Sequence, residues 1–182
     1  MAIAALGAPP AAGGDVVVVG HSLGGLVVPL VASRVPVRRI VMLAAIVGSP
    51  GLSMADLAPI DHDRDMHLDA QDLELDGEGR FRFSAAGARR VLFGDCPSGP
   101  AAAAAGRLRY QRSMWTQVSH FDAWPACETV SITCTADLVV NPAWSDRVAR
   151  DRLGVEPVHL PGGHSPFMSR PAELAAILAA GL

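Results

Sequence analysis

The stretch DVVVVGHSLGG, residues 15–25, decides the fold of this chain. Its β-branched part, residues 15–20, is typical of a parallel strand that is buried on both faces. Residues 23–35 follow with small and apolar side chains at helical spacing, which predicts a helix. The chain therefore turns sharply from a strand into a helix at His21 and Ser22.

This turn, here called the serine turn, carries Gly-x-Ser-x-Gly as Gly20-His21-Ser22-Leu23-Gly24, in the strand-turn-helix context that the motif requires. Side chains at Gly20 and Gly24 are expected to collide where the backbone doubles back, and the strain exposes the Ser22 hydroxyl. The following helix N-terminus favours an oxyanion, for which the Leu23 N–H is a candidate donor. Ser22 is thus a candidate nucleophile; a glycine-rich turn with an incidental serine is the simpler alternative.

A serine nucleophile needs a histidine base and a carboxylate that orients the base. Asp137 follows the strand-like run TVSITCT, residues 129–135, at the strand end where open α/β sheets place functional groups. His164 follows the next predicted strand, residues 156–160, in a loop whose glycines let its ring reach toward Ser22. Each alone has a simpler interpretation, as a helix cap or a surface group. The order serine, aspartate, histidine favours a catalytic set.

Other histidines and aspartates are weaker candidates because of where they fall. One histidine lies inside the serine turn, one in the middle of a strand and three in the middle of the chain, where they could still touch a substrate. The rival acids precede a strand or lie along a helix. These residues are His21, His62, His67, His120, His159, Asp122, Asp146 and Asp151.

The rest of the chain divides into sheet core and an insertion. A second predicted strand, residues 39–47, completes a strand-helix-strand unit of the kind that builds parallel sheets. The segment from 48 to 123 is rich in Gly, Pro, Asp and Arg and predicts a small cap with a hairpin at residues 73–83. Residues 1–47 then carry the serine turn, and residues 124–182 carry the acid and the histidine. Further helices are predicted over residues 85–93, 101–114, 142–153 and 171–182.

Composition argues against several classes of function. Half of the 182 residues are hydrophobic, which predicts one folded domain, and the net charge of -3 gives no basic footprint for nucleic acid. The three cysteines lack the spacing of metal ligands, so neither a metal site nor a disulfide is predicted, and no cofactor is expected. The longest apolar run, residues 40–47, is too short to cross a bilayer, and no secretory signal is apparent, so a cytoplasmic location is expected.

Three pieces of the chain, GHSLGG, CTAD and GGHSPFMSRPAEL, resemble the α/β-hydrolases of the plant methylesterase and hydroxynitrile lyase type, especially their bacterial esterase-like relatives. The resemblance covers nearly the whole chain from Asp15. It implies an α/β-hydrolase fold, with a mostly parallel sheet, flanking helices and a small cap. It also implies that the serine turn is the nucleophile elbow, and that Ser22, Asp137 and His164 are nucleophile, acid and base.

The residue after the histidine separates two activities within this group. The lyase branch has a lysine there, which handles the charge of the departing cyanide. This chain has Ser165 at that position and no lysine anywhere. Cyanohydrin cleavage is therefore disfavoured, and hydrolysis of a small carboxylic ester through an acyl-enzyme is expected; thioesterases and acyltransferases of the same fold remain alternatives.

The resemblance also implies that N-terminal strands are missing. Family members have several strands before the elbow, and an early loop with an HG pair supplies the second oxyanion N–H. Losing one such donor costs about a hundredfold to a thousandfold in rate, so impaired catalysis is expected. Residues 15–20 would form an exposed apolar edge, through which the chain could self-associate. The alternative function is a non-catalytic remnant that binds a small hydrophobic ligand or a partner strand.

Overall fold

The computed structural model describes residues 16–64 and 68–180. The chain forms two compact units. Unit 1 comprises the described residues up to His62, then Trp115–Thr133 and Ala143–Val158, and unit 2 comprises the described parts of Asp63–Met114, Cys134–Pro142 and His159–Leu182. The expected division into residues 1–47, 48–123 and 124–182 stays a prediction, and His67, a rival base, lies outside the described residues.

The chain contains both strands and helices, as an α/β sequence predicts. The strands are β1 (Val17–His21), β2 (Arg39–Leu43), β3 (Leu73–Leu75), β4 (Phe81–Phe83), β5 (Glu128–Cys134) and β6 (Val158–Leu160). The helices are α1 (Val28–Ala32), α2 (Met54–Leu57), α3 (Ala85–Gly87), α4 (Ser98–Ala105), α5 (Pro142–Leu153), α6 (Pro166–Ser169) and α7 (Pro171–Ala179). Among the described residues, no helix is long and apolar enough to span a membrane.

The main sheet has the order β1-β2-β5-β6, and β2 pairs parallel with both β1 and β5. In register, Val19 lies opposite Val41, and Val41 lies opposite Val130. All five residues of β2 are buried, including Arg39, whose guanidinium contacts Glu128 Oε1 at 2.7 Å. Within the described residues β1 is the end strand of this order, and Val19 on it is 45% exposed.

The strand predicted over residues 39–47 is shorter in the structure, where β2 ends at Leu43. Ala44 has a φ of 42°, in the left-handed region, so the backbone leaves the strand direction at that residue. Its N–H still donates to the Ile132 carbonyl at 2.9 Å, and the residues through Val47 remain buried. The apolar pattern therefore extends further than the strand because it reports burial rather than pairing.

The helix predicted over residues 23–35 divides into a 3-10 helix, Ser22–Leu26, and α1. Pro29 has no N–H to donate to a carbonyl one turn earlier, so it is accommodated in the first turn of a new helix. The helix predicted over residues 142–153 is confirmed as α5, which packs Trp144 and Val148 into the core of unit 1.

Unit 2 contains the predicted hairpin. Strands β3 and β4 pair antiparallel, with Leu73 opposite Phe83. The helix predicted over residues 101–114 has the wrong bounds, since α4 ends at Ala105 and is followed by Gly106. Gln111 instead exchanges two backbone hydrogen bonds with Phe81, of 2.8 and 2.9 Å. Residues after Ala105 thus extend the hairpin rather than the helix.

Candidate active site

The serine turn has the strained backbone that its sequence predicts. Ser22 follows β1 directly and has a φ of 54°. A left-handed conformation costs a residue with a Cβ roughly 1–2 kcal/mol, so it persists only where surrounding contacts enforce it. No side chain caps the 3-10 helix that begins at Ser22. Contacts other than such a cap therefore hold the turn.

The glycines around Ser22 differ in how much space a side chain would have at each position. A Cβ at Gly20 would overlap the Val28 side chain, as expected. A Cβ at Gly24 would meet nothing within 4 Å, so the expected collision there is wrong. At Gly25, outside the motif pentapeptide, a Cβ would overlap the Ile46 carbonyl oxygen. The close approach that requires glycine therefore lies one residue later than the motif indicates, where the helix packs on the chain after β2.

The same chain segment also holds the serine backbone. The Ile46 N–H donates to the Ser22 carbonyl at 2.9 Å. Because His21 lies opposite Leu43 in the sheet register, Ser22 and Ala44 follow at neighbouring strand ends, and both are left-handed. Sequence reasoning missed Ala44, since alanine carries no signal for this conformation. Two strained residues thus lie side by side at the carboxyl edge of the sheet.

The predicted acid and base form a buried pair in unit 2. His164 Nδ1 lies 2.8 Å from Asp137 Oδ2, and their side chains are 1% and 2% exposed. The other carboxylate oxygen, Oδ1, accepts the Val139 N–H at 2.7 Å and the Val140 N–H at 3.1 Å. An Nδ1–H that donates to Asp137 makes Nε2 the basic nitrogen of the ring. This geometry orients an imidazole for proton transfer.

Two backbone hydrogen bonds join the loops that carry this pair. The Thr135 N–H donates to the Leu160 carbonyl at 3.0 Å, and the Ala136 N–H donates to the Gly162 carbonyl at 2.9 Å. Because these bonds continue the pairing past the ends of β5 and β6, they bring Asp137 and His164 to the same edge. Pairing between these two chain segments thereby places the two side chains within hydrogen-bond distance.

Cys134 is the last residue of β5, three positions before Asp137. Burial, and then the negative charges of Asp137 and Asp95, raise the pKa of its thiol to about 12. A thiolate is the reactive form of cysteine, so this thiol is inert near neutral pH. Cys134 therefore contributes packing.

Most of the rival candidates that the structure describes are exposed, whereas His21, inside the serine turn, and Asp146, on α5, are half-buried. His62, His120 and His159 are exposed, as are Asp122 and Asp151. Within residues 16–64 and 68–180, no group of three or more His, Cys, Asp and Glu side chains is arranged to hold a metal ion.

The structure thus brings together two of the three predicted catalytic residues. Asp137 and His164 share unit 2, whereas Ser22 and Leu23 lie in unit 1, on the serine turn. Asp95, Gly25 and Ala44 adjoin these groups and were not singled out from the sequence.

Comparison with known proteins gives one family and several solved structures of the same fold. A family model described as the alpha/beta hydrolase family matches residues 2–177. Among solved structures, a mutant polyneuridine aldehyde esterase has a TM-score of 0.79 at 15% identity, over 98% of this chain and 76% of that one. A pyrethroid hydrolase from Sphingobium faniae JZ-2 has a TM-score of 0.72 at 21% identity, over 98% of this chain and 74% of that one.

A methylesterase from Arabidopsis also has a TM-score of 0.72, at 19% identity, and the match covers 96% of this chain and 71% of that one. Curated protein sequences give no match. At these identities the solved structures establish a shared fold alone.

Proposed function

The chain belongs to the alpha/beta hydrolase family and has its mostly parallel sheet with flanking helices, as the sequence predicts, and from this premise we propose that it hydrolyses small carboxylic esters with Ser22, His164 and Asp137 as its catalytic triad. The observation that carries the proposal is the buried hydrogen bond between His164 Nδ1 and Asp137 Oδ2. The names of the structural relatives, two esterases and a pyrethroid hydrolase, support an ester as the substrate.

In the acylation step, His164 Nε2 takes the proton of the Ser22 hydroxyl while Oγ attacks the ester carbonyl carbon. The carbonyl oxygen becomes an oxyanion, which the Leu23 N–H stabilises at the start of the 3-10 helix. The tetrahedral intermediate collapses, His164 gives its proton to the departing alkoxide, and the alcohol leaves. Ser22 then carries the acyl group as an ester.

Deacylation repeats the sequence with water. His164 Nε2 removes a proton from the water while its oxygen attacks the acyl carbon, and collapse of the second intermediate returns the proton to Ser22 Oγ. The acid is released, and no net charge or redox change remains on the protein. Throughout, the carboxylate of Asp137 keeps one tautomer of the ring and stabilises the imidazolium that forms; its Oδ1 contacts with two N–H groups fix its orientation.

A fluorophosphonate probe tests this proposal because it reacts with an activated serine whatever the natural ester is. We expect labelling of the wild type and none of Ser22→Ala. Ser33→Ala is the matched control, since Ser33 is an exposed serine of the same unit whose hydroxyl caps the Leu30 carbonyl. Equal labelling of wild type and Ser22→Ala would exclude the proposed nucleophile.

A second candidate function is favoured by the edge of the sheet. β1 is the end strand among the described residues, and its Val19 is 45% exposed. Unpaired strand edges bind other strands, so a non-catalytic chain could self-associate or capture a partner strand there. Light scattering separates the two functions: oligomers without ester turnover favour strand binding, whereas a monomer with turnover favours the hydrolase.

A further inference from the structure

Two consecutive residues of unit 2 contact the loop of His164 on both sides of the histidine. The Gly163 N–H donates to Asp95 Oδ2 at 2.8 Å. Cys96 Sγ lies 3.8 Å from the Ser165 carbonyl oxygen. Gly163 and Ser165 are the chain neighbours of His164, so the backbone that carries the imidazole is held before and after it.

The segment that ends at Asp95 has an unusual backbone. Ala88–Leu92 is a π-helical turn, closed by the Phe93 N–H, which donates to the Ala88 carbonyl at 2.9 Å. A Cβ at Gly94 would lie 2.7 Å from the Arg90 carbonyl oxygen, so glycine is needed where the chain leaves this turn. π-helical turns are rare and are often found at functional sites. Here the turn directs Asp95 at the histidine loop.

The two glycines before His164 complement that carboxylate. Gly162 has a φ of 111°, and a Cβ there would lie 2.6 Å from Asp95 Oδ2. A Cβ at Gly163 would lie 3.0 Å from Asp95 Oδ1. From the sequence, these glycines are expected to give the imidazole reach. The structure adds a second reason: they leave room for a carboxylate against the backbone.

A cavity of about 270 Å³ lies behind this contact, lined in part by Asp95 and Gly163. Its wall also includes Ala136 and Leu138, the two neighbours of Asp137. Asp95 therefore adjoins the loops of both the acid and the base.

We propose that Asp95 is a positioning residue for His164, whose carboxylate fixes the Gly163 N–H and thereby the backbone from which the imidazole is presented. This inference rests on the proposed role of His164 as the base. Asp95 acts through the backbone and touches no reacting atom. Because the carboxylate is exposed, water competes for the Gly163 N–H, and we expect a loss of about tenfold in kcat when the acceptor is removed, which corresponds to about 1.4 kcal/mol.

The test compares variants that differ in hydrogen-bond acceptance. Asp95→Ala and Asp95→Leu remove the acceptor, the second while filling the space, whereas Asp95→Asn keeps an amide oxygen at the same reach. We expect kcat for a p-nitrophenyl ester to fall about tenfold in the first two, with KM changed by less than about twofold, and to be preserved in Asp95→Asn. Asp151→Ala, which removes an exposed carboxylate of unit 1, serves as the control and should match the wild type.

Proton NMR gives a readout that does not need activity. The His164 Nδ1–H, in its hydrogen bond with Asp137, should give a low-field resonance in Ser22→Ala, and adding Asp95→Ala should broaden or shift it, while adding Asp95→Asn should not. A wild-type kcat together with an unchanged resonance in Asp95→Ala would overturn the inference. A fall in kcat in Asp95→Asn as large as the fall in Asp95→Ala would also overturn it. Failure of the proposed function looks different, because Ser22→Ala would then keep full labelling while the resonance still reports on Asp95.

Discussion

The serine turn and the acid–base pair are held in place by different kinds of contact. Around Ser22, which has a positive φ, close packing of Gly25 against the Ile46 carbonyl adds to one backbone hydrogen bond from Ile46, and no side chain caps the turn. Asp137 and His164 are instead fixed by polar contacts, one between the side chains and two from backbone N–H groups. The first region should therefore respond to added volume, and the second to lost hydrogen bonding.

The largest expected effect is a loss of kcat when a hydrogen bond of the acid–base pair is removed. Asp137→Asn preserves the shape but offers a single oxygen to the His164 Nδ1–H and two backbone N–H groups, and its NH₂ favours the wrong tautomer. By analogy with the serine protease triad, we expect kcat to fall roughly 10⁴-fold. Stopped-flow or steady-state ester hydrolysis measures this, with Asp151→Asn as an exposed control. Retention of the wild-type rate would show that Asp137 does not orient the base.

The next effect is a loss of stability when volume is added at the serine turn. Gly25→Ala adds a methyl group against the Ile46 carbonyl oxygen and within 2.9 Å of Met42 Cε, so we expect the free energy of unfolding to fall by about 2–3 kcal/mol. Gly24→Ala adds the same methyl where no atom lies within 4 Å. Urea unfolding should therefore give Gly24→Ala a free energy of unfolding within about 0.5 kcal/mol of the wild-type value. Similar losses in both variants would mean that backbone packing does not hold the turn.

Sequence alone predicts the parts of this molecule that have a local signal. The β-branched run before Ser22 marks a parallel strand, and the glycine motif marks the strained turn. The expected burial of that strand on both faces is wrong, since β1 is the end strand among the described residues and its Val19 is 45% exposed. Asp137 and His164 follow predicted strands, whose carboxyl ends meet at one edge. Their 2.8 Å contact is foreseen because chain order and strand position both constrain it.

The rest depends on contacts between residues far apart in the chain. Asp95 meets Gly163, 68 positions away, and no periodicity in either segment encodes that contact. Ala44 is left-handed although alanine disfavours this conformation, because tertiary packing overrides local preference. Helix α4 ends early for a related reason: the chain after Gly106 finds a pairing partner in the hairpin.

The strain beside the serine turn can be measured with two alanines. Ala44→Gly and Ala45→Gly each delete a buried methyl group and add freedom to the unfolded chain, but only Ala44 has a positive φ. Glycine relieves strain at Ala44 alone, so we expect Ala45→Gly to be the less stable variant by about 1 kcal/mol. Thermal and urea unfolding measure the difference. Equal stabilities would mean that the left-handed conformation of Ala44 stores no strain.

The smallest effect concerns Cys134, at the end of β5. Burial, followed by the charges of Asp137 and Asp95, raises the pKa of this thiol from 9.0 to about 12. The unfolded thiol ionises first as the pH rises, while the folded thiol stays protonated. Its contribution to stability is therefore complete below about pH 9 and is lost progressively as the pH rises toward about 12.

Urea unfolding at about pH 8 and about pH 10 should show a fall in stability for the wild type that is reduced in Cys134→Ala. Cys127→Ala is the matched control, because burial raises the pKa of the Cys127 thiol as well but that side chain is only half-buried. An equal fall in wild type and Cys134→Ala would place the thiol in a more polar environment than the structure gives it. The fall is smaller in Cys134→Ala because alanine has no thiol to ionise. In the wild type, an ionised sulfur at this position would be poorly solvated and would lie near the negative charges of Asp137 and Asp95. This end of β5, like the acid–base pair, therefore responds to a change in charge rather than to added volume.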